Sequence, residues 1–126
     1  MNLLLDTHAF LWWLADDPNL GVEARKAIRD PSSIVHVSAV SLWEISIKQA
    51  LGKLEVENED LVAEVAANDF VELSITGRHA LEAGSLPRHH DDPFDRMLVA
   101  QALLERLTLV TRDFHMPSYG VTLLRA

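Results

Sequence analysis

Apolar positions along this chain fall into two alternating kinds of segment. Short β-prone runs bounded by turn formers, LLL at 3–5, SIVHV at 33–37, FVEL at 70–73, LTLV at 107–110 and VTLL at 121–124, predict five strands. Helix-length stretches lie between them, at 22–29, 39–51, 59–67, 77–84 and 93–106, after a first helix over the run AFLWWLA at 9–15. Over 39–51 the spacing places Val40, Trp43, Ile47, Ala50 and Leu51 on one stripe, and Gly52 stands where a helix can end. From Met97 to Leu104 only Gln101 interrupts the apolar run, as expected of a helix lying flat across a sheet. Strands that alternate with helices imply a parallel sheet covered on both faces. There is no internal repeat, low-complexity segment or linker. The expected fold is therefore a single domain over 1–126, an α/β protein built as a three-layer α/β/α sandwich with a central, mainly parallel five-stranded sheet.

Composition narrows the function classes. A chain of 126 residues with 48% hydrophobic content can bury one core. No apolar run approaches the length of a membrane span, and MNLLLD at the start lacks a basic leader, so a cytoplasmic address is expected. With no cysteine, disulfides, thiolate–zinc sites and cysteine nucleophiles are excluded together. The net charge of −8 argues against broad, sequence-blind binding to phosphate backbones. It leaves room for a nucleic-acid enzyme whose acids gather at a metal centre.

The densest chemistry is HHDDPFDR at 89–96, which reads as a helix start, a metal site or a pair of proton-transfer histidines. In a parallel sheet, ligands bind beyond the carboxyl ends of the strands. Asp6 directly follows LLL, and Asp113 follows LTLV after Thr111 and Arg112. Glu44 falls in the first turns of the helix leaving the second strand, and Asp95 in the first turn of the helix leading into the fourth. Each acid also has a local explanation. Asp92-Pro93 is a good helix start, Ser41-x-x-Glu44 has the capping-box spacing, and Glu44 with Lys48 makes an i,i+4 pair. Asp6 and Asp113 could turn or cap the chain after their strands. Capping, however, does not require four acids at one edge, where their mutual repulsion calls for a cation. The all-oxygen set points to Mg2+ or Mn2+ rather than zinc. Of the histidines, His89 and His90 are adjacent and cannot easily face one atom, while His8 lies nearer the rim. His36 alternates within a strand and is expected to pack; His79 and His115 give no signal. A metal-independent histidine ribonuclease would leave the four acids unexplained.

LLLDTHAFLWWL, VSAVSLWEISIKQALGKL, LPRHHDDPFDRMLVAQAL and LTLVTRD resemble, in order and almost end to end, the signature segments of PIN-domain proteins. Most closely they are similar to the VapC-type ribonuclease toxins of VapBC toxin–antitoxin pairs. The resemblance implies that Asp6, Glu44, Asp95 and Asp113 bind one or two divalent cations and cleave RNA to 5′-phosphate and 3′-hydroxyl ends. Asp92, in the same motif, is assigned to capping or to supporting the site, as are Thr7 and Thr111 beside the acids. Asp91 stands where relatives commonly carry a basic residue. Lys48, Arg88, Arg96 and Arg112 flank the acids and are candidates for holding phosphates. A second class, a PIN-like binding module without catalysis, is disfavoured because all four acids are kept. A HAD-type phosphatase would need an aspartate where His8 stands, and a receiver domain would need paired acids at the first strand. Finally, AFLWWLA has no polar side, so Trp12 and Trp13 are the expected contacts for a partner. The resemblance adds that a cognate VapB-type antitoxin lies across this region and that such toxins form homodimers.

Overall fold

The computed structural model describes residues 1–89, 91–113 and 119–126. Along the chain run β1 (Asn2–Leu5), α1 (Thr7–Leu14), α2 (Val22–Arg29), β2 (Ile34–Ser38), α3 (Ala39–Ala50) and α4 (Leu61–Ala67). They are followed by β3 (Val71–Leu73), α5 (Gly77–Ser85), α6 (Pro93–Glu105), β4 (Thr108–Thr111) and β5 (Leu123–Arg125). Each expected strand and helix is present, with ends displaced by a residue or two. The strands form one sheet in the order β3-β2-β1-β4-β5, and every pairing is parallel. From β1 the order grows one way through β2 to β3 and the other way through β4 to β5. The carboxyl ends of β1 and β4 therefore flank the switch point, where ligands sit in such sheets.

Strand pleating divides the core between two faces. Leu3 and Leu5 join Val35, Val37 and Val110 on one side, beneath residues of α1, α2 and α4. Leu4 and Leu109 join the apolar residues of α5 and α6 on the other. Five consecutive residues of α6, Leu98–Ala102, are buried, because sheet and neighbouring helices together cover it. Among the described residues, no helix is long and apolar enough to cross a membrane.

The expected stripe on α3 is not the buried one. Val40, Ser41, Glu44 and Ile45 face inward, while Trp43 and Leu51 are 59% and 62% exposed. Two polar residues displace two large apolar ones because partners for them wait inside. The helix does end at Gly52 (φ 70°), whose N–H donates to Gln49 O while that of Lys53 donates to Lys48 O. These are the two bonds of a Schellman cap, and they need the left-handed conformation that glycine adopts without strain. On α1, Ala9–Leu14 are all buried or half-buried, and Leu54, Val56 and Leu61 pack against the same core cluster.

Candidate active site

The site begins where β1 ends. Asp6 continues the ladder through its N–H to Val110 O (3.0 Å) and caps α1 by accepting from Ala9 N–H (2.8 Å). Its side chain is buried and hydrogen-bonded to Thr111, the last residue of β4. Thr111 Oγ1 in turn accepts from Asp113 N–H at 3.1 Å, so one hydroxyl ties both acids to the strand end. Burial pushes the Asp6 carboxyl above its ordinary pKa; the bonds from Thr111 and Ala9 and nearby His8 oppose this, and Glu44 adds to it.

Thr7 reaches across to α3. Its Oγ1 lies 2.6 Å from Glu44 Oε1 and 3.0 Å from Ser41 Oγ. A hydroxyl carries one proton, and the carboxylate can only accept, so Thr7 donates to Glu44 and accepts from Ser41. The Ser41–Glu44 spacing is thus not a capping box. Ser38 caps α3 instead, accepting from Val40 N–H at 3.0 Å. One turn further on, Lys48 Nζ donates to Glu44 Oε2 at 2.6 Å. That bond holds the Lys48 ammonium above its ordinary pKa, with the charges of Asp92 and Asp95 adding to the effect. At the start of α6, Asp92 accepts from Phe94 N–H (2.8 Å) and Asp95 N–H (3.3 Å), with Pro93 in the first turn.

These elements enclose one cavity of about 410 Å³. All four acids named from the sequence, Asp6, Glu44, Asp95 and Asp113, line it together with Thr7 and Asp92; Thr111 stands behind Asp6. Trp12 and His8 line it too. Trp13 does not; it packs on Phe70 (ring centroids 5.9 Å apart) and donates its Nε1–H to Asn68 Oδ1 at 3.0 Å.

The four basic residues separate into two pairs. Lys48 and Arg112 line the acidic cavity, whereas Arg88 and Arg96 line another, of about 370 Å³. Arg96 donates to the carbonyls of Ala83 (2.9 Å), Leu86 (2.9 Å) and Pro87 (3.1 Å), pinning the end of α5 to the start of α6. Arg112 donates to the carbonyls of Asn19 and Ala126 and lies over the Trp12 ring, 4.7 Å from its centroid.

His89 packs edge-on against Tyr119 and is not among the lining residues; His90 and His115 lie outside the described residues. His36 is half-buried, with Nδ1 3.0 Å from Leu3 O. The sequence reading missed His79, which is buried. It accepts from Thr76 N–H at Nδ1 (3.1 Å), and its Nε2 lies 2.8 Å from Glu105 Oε1. Its signal was Thr76-x-x-His79, a capping box with histidine where glutamate is usual.

The donor set suits a hard divalent cation, being carboxylate oxygen throughout with one histidine at the edge. Among the described residues, no three His, Asp or Glu side chains stand close enough together to ligate one ion. Asp6 and Glu44 are instead drawn to Ala9 N–H, Thr111, Thr7 and Lys48. A buried carboxylate with a raised pKa beside further acids is nonetheless the situation a cation relieves.

The PIN domain family model matches residues 3–121, and the chain belongs to that family. It is 29% identical over 120 residues to Ribonuclease VapC22 of Mycobacterium tuberculosis, covering 94% of this chain and 92% of that protein. The fold is similar to that of VapBC2 from Rickettsia felis, solved bound to a promoter DNA fragment (TM-score 0.72, 14% identity, 98% of both chains). It is also similar to VapBC-1 from nontypeable Haemophilus influenzae (TM-score 0.69, 18% identity, 98% of this chain and 97% of that one).

Proposed function

We propose that this protein is an endoribonuclease of the VapC toxin type, a PIN domain over 1–126 that uses Mg2+ or Mn2+ and acts in the cytoplasm. The observation that carries this reading is the convergence of Asp6, Glu44, Asp95 and Asp113, from four distant parts of the chain, on one cavity at the carboxyl edge of a parallel sheet. The name of its relative, Ribonuclease VapC22, supports the same chemistry. Asp6, Asp95 and Asp113 would hold the cation, with Glu44 closing the acidic wall. A bound divalent cation supplies a water of lowered pKa and neutralises phosphate charge. Thr111 and Ala9 N–H fix the Asp6 carboxylate, and Asp92 fixes the turn that carries Asp95. Hydrolysis by water needs no 2′-hydroxyl, so no 2′,3′-cyclic phosphate should form; the resemblance to VapC-type ribonucleases implies 5′-phosphate and 3′-hydroxyl ends.

A cognate VapB-type antitoxin is the proposed partner. Beside the acidic cavity runs a groove of about 600 Å³ floored by Leu11, Trp12, Leu14, Leu54 and Val56, with Asp17, Glu55 and Glu57 also lining it. Apolar floor and acidic lining suit a segment that is apolar and basic. Trp12 borders both spaces, so an occupant of the groove would also reach the acids. The exposed Trp43 of α3 and Leu51 just after it offer apolar surface for a homodimer.

The test is cleavage of total RNA by the purified protein with Mn2+ and with EDTA, followed by mapping of the ends. Cleavage that survives EDTA and leaves 2′,3′-cyclic phosphates would refute the metal-dependent reading. So would near wild-type activity in Asp6→Asn or Asp95→Asn.

A further inference from the structure

We infer that Lys48 contacts the substrate: its ammonium binds the scissile phosphate and neutralises the charge that builds there, and Glu44 acts through it as its positioning residue. This rests on the nuclease reading. A phosphodiester entering the cavity meets the carboxylates of Asp6, Glu44, Asp92, Asp95 and Asp113, and two cationic side chains line the same space. Arg112 is already engaged, its guanidinium held by two backbone carbonyls and stacked on Trp12. Lys48 is held differently. An ammonium has three N–H donors, one of which meets Glu44, and its side chain is 39% exposed. Lysine binds phosphate as a point charge, and a fixed positive group where negative charge develops stabilises the transition state without reorganising.

Glu44 is built to hold that charge in place. It is 5% exposed, and both of its oxygens already have donors: Oε1 takes the Thr7 hydroxyl and Oε2 takes Lys48. Direct ligation of a cation would have to displace one of them. Thr7 directly follows Asp6, whose carboxylate caps the helix that Thr7 begins. The line Asp6, Thr7, Glu44, Lys48 therefore sets the ammonium at a fixed place relative to the buried carboxylate of Asp6.

Single-turnover RNA cleavage and calorimetric titration with Mn2+ should be measured on wild type, Lys48→Gln, Lys48→Arg, Glu44→Gln and the Glu44→Gln/Lys48→Gln double variant. Lys48→Gln should slow cleavage about 100-fold, the typical cost of losing one transition-state donor, with Mn2+ affinity unchanged or higher. Lys48→Arg should recover part of the rate. Glu44→Gln should slow cleavage while retaining Mn2+ affinity, and the double variant should be no slower than the slower single one, because the two residues act as one unit. A Lys48→Gln rate within about threefold of wild type would overturn the inference. So would a double-variant loss equal to the product of the single losses, or parallel loss of Mn2+ binding in Lys48→Gln or Glu44→Gln. Cleavage by wild type and Lys48→Gln alike removes only the role of the lysine; wild type that binds Mn2+ but leaves RNA intact removes the nuclease reading and this inference with it.

Discussion

Thr7 and Glu44 are 37 residues apart in sequence, and the hydroxyl of one lies 2.6 Å from the carboxylate of the other, both buried. The bond joins the start of α1, after β1, to the inner face of α3, after β2, and so holds two walls of the acidic cavity together. Thr7→Val keeps the shape and removes the donor, leaving a buried carboxylate oxygen unpaired. The expected cost is about 1–3 kcal/mol, read as a lower denaturation midpoint, with Thr7→Ser close to wild type. Equal midpoints for valine and threonine would show that the bond does not contribute to stability.

Asp6 makes stability depend on pH. Its folded-state pKa is raised above the ordinary 3.8, so the native protein binds this proton more tightly than the unfolded chain does. The resulting stability is complete below the unfolded value and is lost as pH rises through the raised folded value. Asp6→Asn has no such titration, so in EDTA the stability difference should move in the variant's favour as pH rises from the ordinary 3.8 through the raised folded value. Thermal melts across that range measure it, and a gap independent of pH would remove the buried charge as its cause.

Metal should stabilise the native state by mass action. Mn2+ at one hundred times its dissociation constant is expected to add about 2.7 kcal/mol to wild type. Asp95→Asn should lose most of that gain while still folding, because Asp92 continues to cap α6. Melts with EDTA and with Mn2+ decide the matter. An undiminished response in the variant would place Asp95 outside the cation site.

Arg96 is expected to act on structure rather than on RNA. Arg96→Met keeps the stem but strips the donors from the carbonyls of Ala83, Leu86 and Pro87. Loss of about 1–3 kcal/mol should follow, with faster amide exchange at the junction of α5 and α6. Unchanged stability combined with weaker RNA binding would reverse that assignment.

The two neighbouring tryptophans should behave differently. Trp13→Ala should chiefly lower stability, by about 3 kcal/mol, since the ring packs on Phe70 and its N–H is bonded to Asn68. Trp12→Ala should chiefly weaken the complex with a cognate VapB-type antitoxin, by about 2 kcal/mol or more. Affinities of both variants for that partner, set beside their melting temperatures, test this. Identical affinity in Trp12→Ala and wild type would place the partner elsewhere.

Much of this was legible in the sequence because it is local or follows from topology. Helix starts are written in side chains that accept the first free N–H groups, as Asp6, Asp60, Thr76 and Asp92 do here. The strands are short apolar runs, and a parallel sheet brings all their carboxyl ends to one edge. Asp6 and Asp113 were bound to meet there once the sheet was recognised, and Asp95 with them, since α6 starts at the edge where β4 ends.

Tertiary structure alone decided which way the polar side chains turn. On α3, periodicity favoured burying Trp43, but burying Ser41 and Glu44 gains hydrogen bonds with Thr7, which belongs to another element; Trp43 packs edge-on against Phe94 instead, 5.4 Å between centroids. Arg96 follows Asp95 in sequence, yet successive residues on a helix point about 100° apart, so Arg96 meets the end of α5 while Asp95 lines the acidic cavity. Lys48 was one basic residue among four until Glu44, itself buried by a threonine from another helix, placed it among the acids. A hydrogen bond between distant segments leaves no periodic trace in either, so sequence named the acids and packing chose the cation that stands with them.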